Sequence, residues 1–199
     1  MKKQIVIIHG GDTFDTYEEY LLNLRNLSLN FERTKLKGWK ESLGQKLGDE
    51  YEIIMPTMPN KANAKYLEWK IWFDKLVPFL ESEVILIGNS LGAIFLPKYL
   101  SENDFPKKVV ATFLVAAPFD AEGTDYSLAD FVLPSSLERF EKQGGKIFIY
   151  QSKDDPVVPF ANAEKYKKSL PNAELCPFED RQHFGQLEFP EIIEKIKKL

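Results

Sequence analysis

Short apolar runs alternate with segments of helical periodicity along the whole chain. Five runs are rich in Val, Ile and aromatic residues and lack strict polar–apolar alternation, which is typical of parallel strands covered on both faces. The predicted strands are Ile5–Ile8, Tyr51–Met55, Val84–Ile87, Val109–Val115 and Ile147–Tyr150. The alternation predicts an α/β fold with three layers: a doubly wound, mostly parallel sheet with helices on both faces.

The segments between the strands carry apolar residues at helical spacing. One such face combines Leu36, Trp39, Leu43 and Leu47. No internal repeat, low-complexity tract or linker interrupts the pattern, so residues 1–199 are predicted to form a single domain. Further helices are predicted at Leu67–Leu76, Leu91–Leu100, Ser135–Gln143, Ala161–Ser169 and Pro190–Leu199.

Two segments are longer than the alternation of strands and helices requires, and they are interpreted as insertions near the active site. Residues 12–34 contain apolar side chains at helical spacing between Tyr17 and Leu27, which predicts an amphipathic helix and a candidate lid. Residues 119–134 mix acidic, aromatic and small residues after the fourth strand. They are predicted to form a long loop at the carboxyl edge of the sheet.

Composition and charge narrow the classes of partner. The net charge of −4, with acidic and basic residues interspersed, gives no electrostatic reason to expect nucleic acid or an anionic membrane. The single cysteine, Cys176, excludes an internal disulfide and fits a reducing compartment. The first apolar run is too short for a signal-peptide core, and no segment approaches transmembrane length. We therefore expect a cytoplasmic protein, and the sequence leaves its oligomeric state open.

The pentapeptide Gly88-Asn89-Ser90-Leu91-Gly92 is the most specific chemical motif in the chain. It lies between a predicted strand and a predicted helix, which is the context of a nucleophile elbow. There a strained turn lifts the serine hydroxyl clear of the sheet, and small flanking residues let neighbouring backbone pass close by. The alternative is a tight glycine turn with a capping serine. The context favours Ser90 as the nucleophile of an acyl transfer.

A serine hydroxyl needs a base, and the chain offers His9 and His183. Because α/β-hydrolases order their triad as serine, acid and histidine, the candidate base is His183. Its alternative role is that of a solvated loop histidine. His9 precedes Ser90 in the chain and is interpreted as a structural residue that braces the first loop.

The acid is expected on a loop that follows a strand between Ser90 and His183. The loop after the strand Ile147–Tyr150 contains Asp154 and Asp155. Either aspartate could accept the imidazole N–H, and either could instead be a turn residue. The residue pattern by itself does not choose between them.

Taken together, these motifs resemble the α/β-hydrolases, and more narrowly the small serine hydrolases of the YdeN and retinoblastoma-binding protein 9 type. The resemblance covers most of the chain from Trp39 onward, and two features depart from it: residues 12–34, and Pro97, which should bend or stop the helix after the elbow. The similar features are the Trp39 helix, Tyr51–Pro56, Trp69, Trp72, the Asp154-Asp155 loop and His183-Phe184.

The resemblance implies roles for further residues. It assigns the acid to Asp155, with Asp154 as a helper. It places an oxyanion hole at the backbone N–H groups of Leu91 and Gly11, with Asp12 as the next choice for the loop donor. A substrate pocket at the sheet's carboxyl edge is expected to include Phe119, Phe184 and the loop around Phe131–Leu133.

The sequence thus predicts a serine esterase that acts on a small-molecule acyl substrate through Ser90, His183 and Asp155. It predicts no cofactor and no metal, because it lacks a phosphate-binding loop, a dinucleotide fingerprint and a metal-ligand cluster. One alternative is a protein-binding module on a hydrolase scaffold with weak or no turnover. Another is different chemistry on the same fold, such as that of a lyase, perhydrolase or acyltransferase.

Overall fold

A computed structural model describes residues 2–28 and 38–199 of the chain. Leu36, expected on the Trp39 helix face, lies outside the described residues. Six strands form one sheet in the order β2-β1-β3-β4-β5-β6, and every neighbouring pair is parallel. The strands are β1 Lys3–Ile8, β2 Tyr51–Ile54, β3 Glu83–Asn89, β4 Lys108–Val115, β5 Lys146–Ser152 and β6 Glu174–Phe178.

Helices connect the strands as the periodicity predicted. The α-helices are α1 Tyr17–Asn26, α2 Trp39–Leu47, α3 Tyr66–Leu76, α4 Leu91–Glu102, α5 Glu138–Gln143, α6 Ala161–Ser169 and α7 Pro190–Lys197. Short 3-10 helices occur at Val77–Phe79 and Ala129–Phe131. Within the described residues, no helix has both the length and the apolar character needed to cross a membrane.

Alternate residues of the strands face two separate hydrophobic cores, as expected for a sheet covered on both sides. In β1, Ile5 and Ile7 pack into the core formed with α2 and α7. Val6 and Ile8 pack into the opposite core, which contains α3, α4, α5 and α6. The predicted three-layer, doubly wound fold is therefore confirmed.

The chain reverses its direction of travel across the sheet at β1. It proceeds from β1 to β2 on one side and then crosses to β3 on the other side. The loops that follow β1 and β3 therefore leave the carboxyl edge at a switch point, where open α/β sheets bind ligands. These two loops contain Gly11 and Ser90.

Strand β6 was not predicted. It pairs only with β5, its residues are half-buried or exposed, and it contains Pro177. Proline is confined to positions such as edge strands because it cannot donate a ladder hydrogen bond. The segment therefore lacks the continuous apolar run that identifies the central strands.

Pro97 was expected to bend or stop the helix that follows Ser90, and it does not stop it. Helix α4 continues through Pro97 to Glu102, and Pro97 itself is buried. A proline inside a helix costs about 3 kcal/mol. Nine of the helix's residues are buried, and that packing outweighs the local cost.

Residues 12–28 of the first segment interpreted as an insertion, and all of the second, lie at the carboxyl edge of the sheet. The amphipathic helix expected between Tyr17 and Leu27 is present as α1, and none of its residues is buried. Residues 119–134 follow β4 and contain the 3-10 helix at Ala129–Phe131. Their origin as insertions stays a prediction.

Phe95 is the centre of an aromatic cluster, which makes it a sensitive test of the α3–α4 core. Its buried ring lies 5.6 Å from Phe73 and 5.7 Å from both Trp69 and Tyr99, between centroids. We expect Phe95→Ala to lower the free energy of unfolding by about 3–5 kcal/mol in chemical denaturation. The control Phe79→Ala removes a ring that is 81% exposed and should change it by less than about 0.5 kcal/mol. Equal effects would contradict this description of the core.

Candidate active site

Ser90 occupies a strained turn between β3 and α4. Its φ of +54° and ψ of −120° lie outside the regions favoured by side-chain-bearing residues. Its N–H donates to the carbonyl of Val115 at 2.8 Å, and its own carbonyl accepts the N–H of Ala93 at 2.8 Å. Such a conformation costs on the order of 1–3 kcal/mol and persists only when surrounding structure holds it.

The two glycines of the elbow are required by close backbone approach. A Cβ atom at Gly92 would lie 2.2 Å from the carbonyl oxygen of Ile8 in β1. A Cβ atom at Gly88 would lie 2.4 Å from the carbonyl oxygen of Gly92. Both distances are far below van der Waals contact, so no other residue fits without moving the sheet or the helix.

The structure brings Ser90, His183 and Asp155 into one hydrogen-bonded chain. His183 Nε2 lies 3.0 Å from Ser90 Oγ. His183 Nδ1 lies 2.9 Å from Asp155 Oδ2 and 3.1 Å from Asp155 Oδ1. In the tautomer with a proton on Nδ1, the ring donates to the carboxylate and Nε2 accepts from the serine hydroxyl.

Asp155 is held in place by its own loop. Its side chain is fully buried, and Oδ1 accepts the N–H groups of Val157 and Val158 at 2.8 and 3.0 Å. Oδ2 accepts from Gln151 Nε2 at 3.0 Å. These bonds fix the carboxyl plane against the imidazole, so the geometry assigns the partner of His183 to Asp155.

Asp154 contacts the histidine loop rather than the imidazole. Its Oδ1 accepts the Ser152 hydroxyl at 2.5 Å and the N–H of Gln182 at 2.8 Å. These contacts, chiefly the one with Ser152, lower the pKa of the Asp154 carboxyl. The neighbouring aspartates thus have different positions: one faces the ring, and the other holds the backbone next to it.

The backbone on both sides of His183 is strained and held by hydrogen bonds. Gln182 and Phe184 have φ values of +47° and +53°, in the left-handed region that non-glycine residues avoid. The Phe184 carbonyl accepts from the indole Nε1 of Trp39 at 3.1 Å. The Trp39 contact was not predicted, because helical periodicity identifies a buried face but not a hydrogen bond to a loop 145 residues away.

The candidate oxyanion donors have different environments. Among the residues that the structure describes, neither Gly11 nor Leu91 has a hydrogen-bond acceptor for its backbone N–H. The N–H of Asp12, by contrast, donates to the carbonyl of Lys61 at 2.8 Å. Asp12 is therefore not available as the second choice for the loop donor.

His9 lies in the first loop with both ring nitrogens engaged. Nδ1 donates to the carbonyl of Gly10 at 2.6 Å, and Nε2 accepts the N–H of Met58 at 2.8 Å. Burial lowers the pKa of the His9 imidazole, and the positive charges of Lys61 and Lys40 lower it further. The neutral ring joins the loops after β1 and β2, which matches its interpretation as a bracing residue.

A cleft of about 1370 Å³ opens over Ser90 and His183. One wall is helix α1, which contributes Glu19, Leu22 and Asn23, and another is the loop at residues 124–128. Both segments interpreted as insertions, 12–34 and 119–134, therefore contribute residues to the cleft. In the described part of the chain, no group of three or more His, Cys, Asp or Glu side chains could hold a metal ion.

The aromatic residues expected in the pocket lie elsewhere. Phe184 is only 2% exposed and packs among core rings, 5.3 Å from Phe189 between centroids. Phe119 packs edge-on against Tyr166 at 5.0 Å, and Phe131 is buried 5.2 Å from Trp69. Contrary to the expected pocket, neither Phe119 nor Phe184 lines the cleft: Phe184 belongs to the core formed with α2 and α7, and the half-buried Phe119 packs against the opposite core.

Comparison with known proteins agrees with this architecture. The fold is that of an α/β-hydrolase. A sequence profile of the family described as serine hydrolase matches residues 31–188, and the chain belongs to that family. It is 29% identical to the serine hydrolase RBBP9 of Rattus norvegicus over 171 residues, which cover 81% of this chain and 84% of the relative.

Solved structures show the same fold. The ydeN gene product of B. subtilis superposes with a TM-score of 0.79 at 20% identity, covering 99% of this chain and 98% of that one. A lipase-esterase related protein from Clostridium acetobutylicum superposes with a TM-score of 0.65 at 12% identity, covering 98% and 93%. At these identities the likeness concerns the fold alone.

The environment of His9 predicts its titration. In the variant His183→Gln, His9 is the only histidine, so its ring resonances can be followed by NMR without ambiguity. We expect a midpoint below 6.5. A lowered pKa in the folded state means that the unfolded chain binds protons first, so the stability from neutral His9 is lost as pH falls below about 6.5. A midpoint at or above that value would contradict the neutral, bracing role.

Proposed function

We propose that the protein hydrolyses carboxylic esters through a Ser90–His183–Asp155 triad and a covalent acyl-enzyme. The observation that carries this proposal is the unbroken chain of hydrogen bonds from the Ser90 hydroxyl through His183 to Asp155, at the base of an open cleft. Membership of the serine hydrolase family supports the reaction class. The proposed substrate is a small acyl ester.

The hydrogen-bonded chain supports the following sequence of proton transfers. As Ser90 Oγ attacks the carbonyl carbon, His183 Nε2 takes the hydroxyl proton and becomes an imidazolium. Asp155 holds the ring orientation and stabilises that positive charge. The imidazolium then returns the proton to the leaving alcohol, and an ester of Ser90 remains. Water attacks this ester with His183 again as the base, which releases the acid and restores the serine.

The negative oxygen of the tetrahedral intermediate needs hydrogen-bond donors. We assign this role to the backbone N–H groups of Leu91 and Gly11. Leu91 is the first residue of α4, so its N–H has no acceptor within the helix and the helix dipole favours negative charge there. Loss of one such donor typically costs about 2.7–4 kcal/mol of transition-state stabilisation.

Labelling with a fluorophosphonate probe tests the nucleophile. We expect the wild-type protein to be labelled and Ser90→Ala to be unlabelled, because only the hydroxyl activated by His183 reacts with the probe. Ser136→Ala is a matched control: its exposed hydroxyl accepts the N–H of Glu138 near the start of α5, and labelling should be unchanged. Folded wild-type protein that does not label would reject the hydrolase proposal and favour a binding module on this scaffold.

The neighbouring aspartates offer a paired test of the acid. We expect Asp155→Asn to reduce kcat with a phenyl ester by roughly ten-thousandfold, because the amide disfavours the required histidine tautomer. Asp154→Asn keeps an oxygen that accepts from Gln182 and should cost less than about tenfold. Steady-state kinetics of both variants decide between them. A larger loss in Asp154→Asn would overturn the assignment of the acid to Asp155.

A further inference from the structure

Lys40 ends beside the nucleophile. It is the second residue of α2, it is half-buried, and it lines the cleft that contains Ser90. Its Nζ donates to Asn89 Oδ1 at 2.6 Å, and Asn89 directly precedes Ser90. Among the described residues, no carboxylate forms an ion pair with Lys40. The cation is therefore held by a neutral amide next to the reacting centre.

The partner amide is itself incompletely satisfied. Asn89 is only 6% exposed, and its Nδ2 is a buried donor without a partner in the described part of the chain. A buried donor without an acceptor is unfavourable, and so is a half-buried cation that has no ion-pair partner among residues 2–28 and 38–199. Two such groups side by side, at the wall of an open cleft, favour an incoming group that carries negative charge.

The electrostatics of the cleft agree with this arrangement. Burial lowers the pKa of the Lys40 ammonium, and although the negative charge of Glu41 acts against the shift, the nearby charge of Lys61 adds to it. The net lowering means that burial, together with Lys61, outweighs the opposing charge of Glu41. Lys61 lines the same cleft, so it adds a second positive charge to this wall.

Carboxylates also line the cleft, and several of them are engaged in hydrogen bonds or disfavoured as charges. Glu41, the residue after Lys40, accepts the N–H of Gly38 at 2.8 Å. Asp15 accepts the hydroxyl of Ser127 at 2.6 Å. Glu19 accepts the N–H groups of Asp15 and Thr16 at the start of α1, at 3.1 and 3.2 Å. Burial raises the pKa of the Asp12 carboxyl, which disfavours its charged form. Asp125 also lines the cleft and would favour a cationic substrate, which is the competing outcome of the test.

We propose that Lys40, assisted by Lys61, forms an anion subsite beside Ser90 that selects esters bearing a carboxylate on the acyl or the alcohol part. This inference rests on the proposed function and specifies its substrate class. The subsite would complete the hydrogen bonds of Lys40 and would place the ester carbonyl near Ser90 through an attraction that neutral esters lack.

Matched esters test the selectivity. Monophenyl adipate, phenyl hexanoate and the phenyl ester of trimethylammoniohexanoic acid present an anionic, neutral and cationic acyl chain, and 4-carboxyphenyl acetate places the carboxylate on the alcohol. We expect the wild type to give its highest kcat/KM with one of the anionic esters, and the two anionic esters identify which part of the substrate the subsite binds. A preference for the cationic ester would overturn the proposal.

Variants attribute the preference to Lys40. Lys40→Met keeps the aliphatic stem and should reduce the anionic-to-neutral ratio of kcat/KM by about tenfold, while Lys40→Arg should restore most of it. The control Lys46→Met removes a lysine from the same helix whose ammonium pairs with Glu188 on the surface, and it should leave the ratio unchanged. An equal loss for anionic and neutral esters in Lys40→Met would show a structural role and overturn the proposal.

A binding experiment separates this inference from the proposed hydrolysis. Adipate itself is titrated into Ser90→Ala and into Ser90→Ala with Lys40→Met, with amide chemical shifts as the readout. The second protein should bind adipate about tenfold more weakly. Lys40-dependent binding without turnover of any ester would reject the esterase and keep the subsite. Ester turnover without a charge preference, together with adipate binding that is equally strong in both proteins, would keep the esterase and reject the subsite.

Discussion

The close approach of β1, β3 and α4 at the turn that contains Ser90 is the constraint on which the rest of the candidate site depends. The carbonyl of Ile8 occupies the space that a side chain at residue 92 would need, so α4 can begin directly against β1 only with glycine there. Ser90 makes the tight turn into α4 in a strained conformation, and its hydroxyl lies 3.0 Å from His183 Nε2. The buried faces of α4 supply the packing energy that maintains the strain.

Two loops complete the site: the loop of Asp155 is held by its own hydrogen bonds, and the loop of His183 is held by bonds from outside itself. Asp154 and Ser152 bind the backbone before His183, and Trp39 of α2 binds the carbonyl after it. The backbone is thereby held on both sides of His183. Such preorganisation would favour the proposed acyl transfer, because a general base has to lie within hydrogen-bond reach of the proton that it takes.

The parts of the fold that follow from local pattern were predictable, and the parts set by tertiary contact were not. The central strands are continuous apolar runs, so the three-layer sheet and the strand-to-helix context of Ser90 could be derived. Strand β6 was not predicted, because Pro177 and its position at the edge of the sheet break that pattern. The lining of the cleft was not predictable, because an apolar residue such as Phe184 suits a core as well as a cleft. Only its packing against Phe178 and Phe189 shows that it belongs to the core. The choice between Asp154 and Asp155 was not predictable from the residue pattern either, because the two aspartates differ only in the hydrogen bonds that the folded loop gives them.

A crystal structure of the protein inhibited by an alkyl fluorophosphonate tests the central claim most directly, since its phosphoryl oxygen mimics the oxyanion of the intermediate. The account predicts a bond from phosphorus to Ser90 Oγ, with that oxygen at hydrogen-bond distance from the N–H groups of Leu91 and Gly11. It also predicts that His183 remains bonded to Asp155. Phosphorus on another residue, or an oxygen directed away from both N–H groups, would contradict it.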